Sequence, residues 1–240
     1  MTAFTALVAA AAAAPAIAME QLTGTGSVIV LSPHPDDESL AMGGAIAAAC
    51  AAGHRVHVVL VTDGSRSHPN SASHPPPVLA ALRRREAERA VGILTGGRYP
   101  PVWLGYRDMD APDSPEVFAD VEARLLPLLR EATALWTTWN GDPHPDHQRT
   151  WRLGRWIAGR HALRMFAFPV WGRVQPPAVS ADPRALGRFE TVRYRAAKAR
   201  AVAAHVSQMT RLITDDPEGF VMPAALAAHF VDTDEIVVAT

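Results

Sequence analysis

An α/β fold, with helices on both faces of a mostly parallel sheet, follows from three features of the sequence. Short apolar runs recur at the length of buried strands: "SVIVL" (27–31), "RVHVVLVT" (55–62), "PVWLG" (101–105) and "ALWTTW" (134–139). Between them lie stretches with helical periodicity or an alanine-rich helical composition. Each run ends in a polar turn: "PHPDDE" (33–38), "DGSRSH" (63–68), "YRDMD" (106–110) and "GDPHPDH" (141–147). Repeated strand–helix–strand order makes the strands parallel and places their crossover helices on the two faces.

The opening "MTAFTALVAAAAAAPAIAMEQ" has a signal-like apolar stretch but no Lys or Arg before it. It is also too short and alanine-rich for a membrane span. It reads as a packing helix that leads into the domain, with export the minority reading and a cytoplasmic location expected. After the first strand, "SLAMGGAIAAACAAG" (39–53) is a helix closed by Gly53. The Ser/His/Pro-rich 63–77 cannot hold regular structure and is a loop, a candidate lid. An amphipathic helix occupies 78–97, with Leu79, Leu82 and Ala90 apolar and "RRREAER" (83–89) a solvated, ion-paired face. Helices are expected over 114–131 and 147–160. Beyond them, "RMFAFPV" (164–170) and "FETVRY" (189–194) read as strands, "RAAKARAVAAHVSQ" (195–208) as a helix and "PAALAAHF" (223–230) as a short one. The 240 residues suit one domain, with a core over 27–160 and a C-terminal elaboration over 161–240.

A net charge of -1 argues against nucleic acid or a membrane surface as partner. The single cysteine, Cys50, lies in an alanine-rich helix and reads as a small core residue, not a nucleophile.

In such sheets ligands bind beyond the carboxyl ends of the strands, where all four polar turns fall. Neighbouring carboxylates repel unless a cation or water neutralises them. His34 and Asp37 are zinc-type ligands, and a catalytic zinc takes three protein ligands plus water. "HPDH" (144–147) is the source of the third: one imidazole completes the site, the other faces substrate, and Asp146 between them fixes a ring tautomer. Either motif alone has a plain reading as a turn or a charged helix start. Trp103 and Trp139, at strand ends, are candidates to stack on a sugar ring. His54 and His57 read as ordinary strand or edge residues, and His68 and His74 as loop residues exposed to solvent.

With "PHPDDE" and "HPDH" in this order, the chain resembles the PIG-L/LmbE-like zinc-dependent de-N-acetylases over about 27–160. Weaker echoes are "VTDG" (61–64), "RRREAERAVGIL" (83–94) and "KARAVAAHVSQ" (198–208). The resemblance implies an LmbE-like, Rossmann-like three-layer sandwich and a zinc (or other divalent) hydrolase. Such an enzyme removes acetyl from a small N-acetylated sugar or glycoconjugate with a metal-activated water. It implies His34, Asp37 and His147 as metal ligands, Asp36 as general base, His144 as the group that polarises the carbonyl, and Asp146 as its orienting partner. In many relatives an acidic residue follows "TDG", where this chain has Ser65; Asp63 and Arg66 remain candidates for substrate contact. His205 and Gln208 are echoes without a derived role. A hydrolase of a non-sugar amide and a non-catalytic sugar- or metal-binding module are the rival readings, and the oligomeric state is not legible.

Overall fold

A computed structural model describes residues 4–240. Among these, seven strands form one sheet: β1 (Ser27–Ser32), β2 (Val56–Thr62), β3 (Val102–Tyr106), β4 (Ala132–Thr138), β5 (Arg164–Phe168), β6 (Leu186–Phe189) and β7 (Glu235–Ala239). Their order is β3-β2-β1-β4-β5-β7-β6, parallel through β5 and antiparallel for the last two. The chain therefore runs outward from β1 in one direction and from β4 in the other. The crevice between β1 and β4 is the switch point where such sheets bind ligands.

Side chains alternate along β1 and feed two cores. Val28 and Val30 pack under α3 (Asp37–Ala51), α4 (Pro76–Thr95), α7 (Arg195–Ala204) and α9 (Ala224–Asp232). Ile29 and Leu31 pack under α5 (Pro115–Leu129) and α6 (Pro145–His161). All of β1 is buried, as a strand covered on both faces must be. Cys50 is buried in α3, and burial pushes its thiol up to about 11.

Four expectations change. The opening segment forms two short helices, α1 (Ala6–Ala12) and α2 (Met19–Thr23), with Pro15 between them. Leu7 and Ala11 of α1 are buried against Leu186, Ile236 and Val238 of β6 and β7; residues 1–3 lie outside the described part. The strand expected over 189–194 is only Phe189, the end of β6. Thr191 donates its N–H to Asp234 Oδ1 and its hydroxyl to the Thr233 carbonyl, turning the chain away from the sheet. β7 adds a strand beyond those expected, although "EIVVA" has a strand's composition. The helix expected over 195–208 breaks at His205 (ψ 59) into α7 and α8 (Val206–Met209). No described helix is long and apolar enough to cross a membrane.

Candidate active site

The carboxyl ends of β1 and β4 bring the two polar clusters together. α3 starts after the four-residue turn 33–36 that follows β1, two residues earlier than expected, so Asp37 and Glu38 lie in its first turn. Asp36 precedes it at φ +143, a backbone conformation that a residue with a side chain adopts only when its surroundings impose it. Glu38 imposes it here, accepting the Asp36 N–H at 3.0 Å and the Ser32 hydroxyl at 3.3 Å. α6 starts from His144 as cap, with Pro145 supplying a preset φ and Asp146 a first-turn negative charge. The Asp146 N–H donates to His144 Nδ1 at 3.2 Å. Neutral His144 therefore carries its proton on Nε2.

His34 Nδ1 and His147 Nε2 each lie 3.2 Å from Asp37 Oδ2. Four ligands at 2.0–2.1 Å around a tetrahedral zinc are about 3.3 Å apart, so these separations suit one ion. His147 Nε2 is buried and forms no hydrogen bond among the described residues, which suits an atom that serves as a metal ligand. The opposite ring nitrogens rest on buried carboxylates. His34 Nε2 is 3.2 Å from Asp146 and 3.3 Å from Asp108, and His147 Nδ1 is 2.8 Å from Asp142. That is how metal-binding imidazoles are oriented. The donor set therefore fits a divalent cation. Nitrogens of His34, His144 and His147 also come within 4.8 Å of one another, but His144 Nδ1 already accepts the Asp146 amide. His34, Asp108 and Asp146 form a second such group, in which backbone amides occupy both carboxylates: Met109 and Ala111 on Asp146, Arg66 on Asp108.

Protons supply the missing positive charge when no metal is bound. Burial works against the His34 imidazolium, but hydrogen bonds to Asp108, Asp146 and Asp37 raise its pKa well above the usual value. Burial likewise opposes His147⁺, yet the Asp37 charge and Asp142 carry it to about 9. Burial and those two neighbouring charges drive His144 down to about 3, so it stays neutral. Burial lifts Asp36 to about 6, against the pull of Arg83. A cavity of about 390 Å³ opens above these groups, with Met109, Val170, Trp171, Phe220 and Met222 along its wall.

A model of the PIG-L (GlcNAc-PI de-N-acetylase) family matches residues 29–158, just over half the chain. The chain belongs to the PIG-L family. Solved structures share the fold across nearly the whole length. The N,N'-diacetylchitobiose deacetylase of Pyrococcus horikoshii is 24% identical, with 89% of this chain and 82% of that one aligned at a TM-score of 0.61. The conserved protein TT1542 of Thermus thermophilus is also 24% identical, covering 90% and 94% at 0.64. GalB of Pseudomonas putida, a 4-carboxy-2-hydroxymuconate hydratase, is 16% identical over 87% and 84% at 0.63. The fold thus carries more than one chemistry, and the site must argue for its own.

The PIG-L match ends before His205, which reaches the site, and residues inside the match also depart from their expected places. Arg83, expected on a solvated face, is buried and donates to the Gly64 and Pro35 carbonyls and to Asp36 Oδ2. Gly64 must lack a side chain, since a Cβ there would meet the guanidinium at 2.5 Å. Glu86 is also buried, accepting from the Ser207 N–H and hydroxyl. Leu79, Arg83, Glu86 and Ala90 follow a 4-3-4 spacing, which puts both charges on the buried stripe. His205 donates from Nε2 to Glu38 Oε1 at 3.0 Å, so the C-terminal segment reaches the turn that holds Asp36. Asp142, fully buried, carries no sequence signal beyond its place in the same turn as His144 and His147.

Other candidates move. The Asp146 carboxylate lies on His34, and only its backbone N–H reaches His144; the helix start points that side chain across the crevice. Asp63 Oδ1 is taken by the Ser65 and Asp108 amides, leaving Arg66 as the member of that pair that lines the cavity. Trp139 packs against Gly141 and Gly172 in the core, and Trp103 lies beneath the Arg84 guanidinium. The cavity's aromatic pair is instead Trp171 and Phe220, edge to face at 5.6 Å. His68 is buried against Gly219, not exposed. Its loop is fastened to the 210–222 segment, where Asp215 binds Ser71 and Ser73, and Asp216 the Asn70 N–H. Gln208 lines the cavity, its amide nitrogen donating to the Ser67 and Ser207 hydroxyls.

Proposed function

We propose that this chain is a divalent-metal hydrolase, with zinc the expected ion, that removes an acetyl group from an N-acetylated amino sugar or glycoconjugate. The observation that carries this reading is the convergence of His34, Asp37 and His147 on one point, with the His147 Nε2 otherwise unpartnered. Asp36 and His144 line the same cavity. A binding module needs neither of these last two groups in that position. When bound, zinc supplies a Lewis acid and draws the pKa of water toward about 7.

The remaining chemistry belongs to the side chains. Asp36, poised near neutrality, accepts the proton of the attacking water. His144, neutral and protonated on Nε2, donates to the carbonyl oxygen as negative charge develops there. Protonated Asp36 then returns its proton to the departing amine, and His144 is the other acid within the cavity. The Trp171–Phe220 wall offers a flat apolar surface of the kind a sugar ring's C–H face packs on.

A panel of N-acetylated sugars and unrelated amides, scored for free acetate with metal-loaded protein, tests this. Turnover of an N-acetyl sugar is expected. Silence on every sugar with turnover of another amide would transfer the same machinery to a non-sugar substrate. Silence on the whole panel by a protein that still binds zinc would favour the binding module.

A further inference from the structure

Arg173 is 1% exposed, and no carboxylate among the described residues touches it. Its Nε donates to the Pro169 carbonyl at 3.0 Å, Nη1 faces His229 Nε2 at 3.4 Å, and Nη2 has no partner among the described residues. The guanidinium also lies over the Phe230 ring at 4.7 Å. A fully buried cation without a direct counter-charge is exceptional. The two buried carboxylates nearest in charge are already committed. Asp142 holds His147 and the Val170 and Gly172 amides, and Glu235 holds Lys198 and the Gly44 and Ala45 amides.

A second cavity, about 200 Å³ and sharing no lining residue with the first, abuts Arg173. Val8, Ala11, Ala12 and Ile236 give it an apolar wall; Arg188, His229 and Thr233 also line it, the Thr233 hydroxyl being spent on the His229 carbonyl. Its one carboxylate, Asp234, is spent on Arg188, which also pairs with Glu190 outside. Burial and the Arg173 and Lys198 charges hold His229 down to about 4, so it adds no charge of its own. The cavity therefore borders one buried cation that has no direct ion-pair partner, behind a small apolar chamber.

We propose that this cavity binds a small monocarboxylate with a compact apolar body, its carboxylate on Arg173. An apolar cavity of about 150 Å³ admits benzene, so a body of six or seven carbons fits. The turn that carries Arg173 also supplies the Gly172 N–H to Asp142. The turn that holds the ligand would thus be two hydrogen bonds from His147, at a place distinct from the reaction cavity.

The test is titration of zinc-loaded protein with benzoate, followed by calorimetry and by melting temperature, beside benzamide as the uncharged isostere. Saturable binding of benzoate and none of benzamide is expected. Arg173→Met should weaken it by about 10- to 100-fold, the range for a hydrogen bond to a charged group. Because that variant risks misfolding, Ala12→Trp, at an exposed position on the cavity mouth, should abolish binding with Arg173 intact. A bound metal also attracts carboxylates, so the titration is repeated in His147→Ala. Binding that survives there and is lost in Ala12→Trp supports the site. Binding lost in His147→Ala and kept in Ala12→Trp, equal binding of benzamide, or no binding at all would overturn it.

Discussion

Arg83 Nη2 lies 3.1 Å from Asp36 Oδ2 and 2.6 Å from the Pro35 carbonyl oxygen, inside the protein. The cation opposes the effect of burial on Asp36, whose carboxyl stands at about 6 instead of higher. A base works only when ionised. Removing the cation raises the pKa, so the base is lost at a higher pH. Arg83→Met should therefore move the acid limb of the pH–rate profile upward by about one to three units. Arg83→Lys, which keeps the charge, should move it less. An acid limb that stays in place in Arg83→Met would assign it to another group. Asp36→Asn should lower turnover by about 10²–10⁴ while keeping the metal.

His147 and His144 should separate by metal content. His147→Ala removes a ligand and should lose metal, whereas His144→Ala should keep it and lose turnover. Asp142→Asn leaves the ligand in place but replaces the carboxylate that orients it, and should weaken metal affinity by about 10- to 100-fold. Competition with a chromogenic chelator measures all three. Full metal affinity in Asp142→Asn would mean that the His147 ring is held by packing alone.

Each of the two clusters is readable because its residue types and spacing are local: a strand end, a turn and the start of a helix bring His34, Asp36 and Asp37 together with little help from elsewhere. The groups that support them come from far along the chain. Arg83 is 47 residues from Asp36, and His205 is 167 from Glu38. Nothing near either position announces its partner, although the helical period already places Arg83 on an apolar stripe. Asp146 shows the converse. Its proximity to His144 in sequence suggests a contact that its position in the first turn of α6 redirects to His34. The parallel half of the sheet is legible from its apolar runs. The antiparallel edge is not, because β6 is short and its pairing with β7 spans a long intervening segment.

Metal binding should release protons. Without metal, His34 and His147 both hold pKa values above the usual imidazole range, His147 at about 9, so both are charged at pH 7. Ligands must be deprotonated. Zinc uptake at pH 7 should therefore expel about two protons, and apparent affinity should fall as pH falls. Calorimetry in two buffers of different ionisation enthalpy counts them. A count near zero would show that the free site holds neutral imidazoles, and that the carboxylates around it are neutralised some other way.

His205→Ala tests the link between the C-terminal helices and Asp36. Burial opposes the charge on both His205 and Glu38, but each partner more than offsets it, so His205 is raised and Glu38 lowered. The raised histidine contributes stability in full below 6.5, its unperturbed value, and loses it as pH rises through its folded pKa. The lowered carboxyl contributes in full above 4.5 and loses it as pH falls through its folded pKa. The pair is therefore worth most between 4.5 and 6.5. Removing one partner of a buried pair costs about 3–5 kcal/mol in that window. Urea unfolding of metal-loaded protein should show the largest loss near pH 5.5 and a smaller one at alkaline pH. The same variant frees the Glu38 carboxylate that clamps the Asp36 N–H, so turnover should fall while His34, Asp37 and His147 keep the metal. A stability loss independent of pH, with turnover unchanged, would reduce His205 to a packing residue and leave the strained Asp36 turn held from within α3.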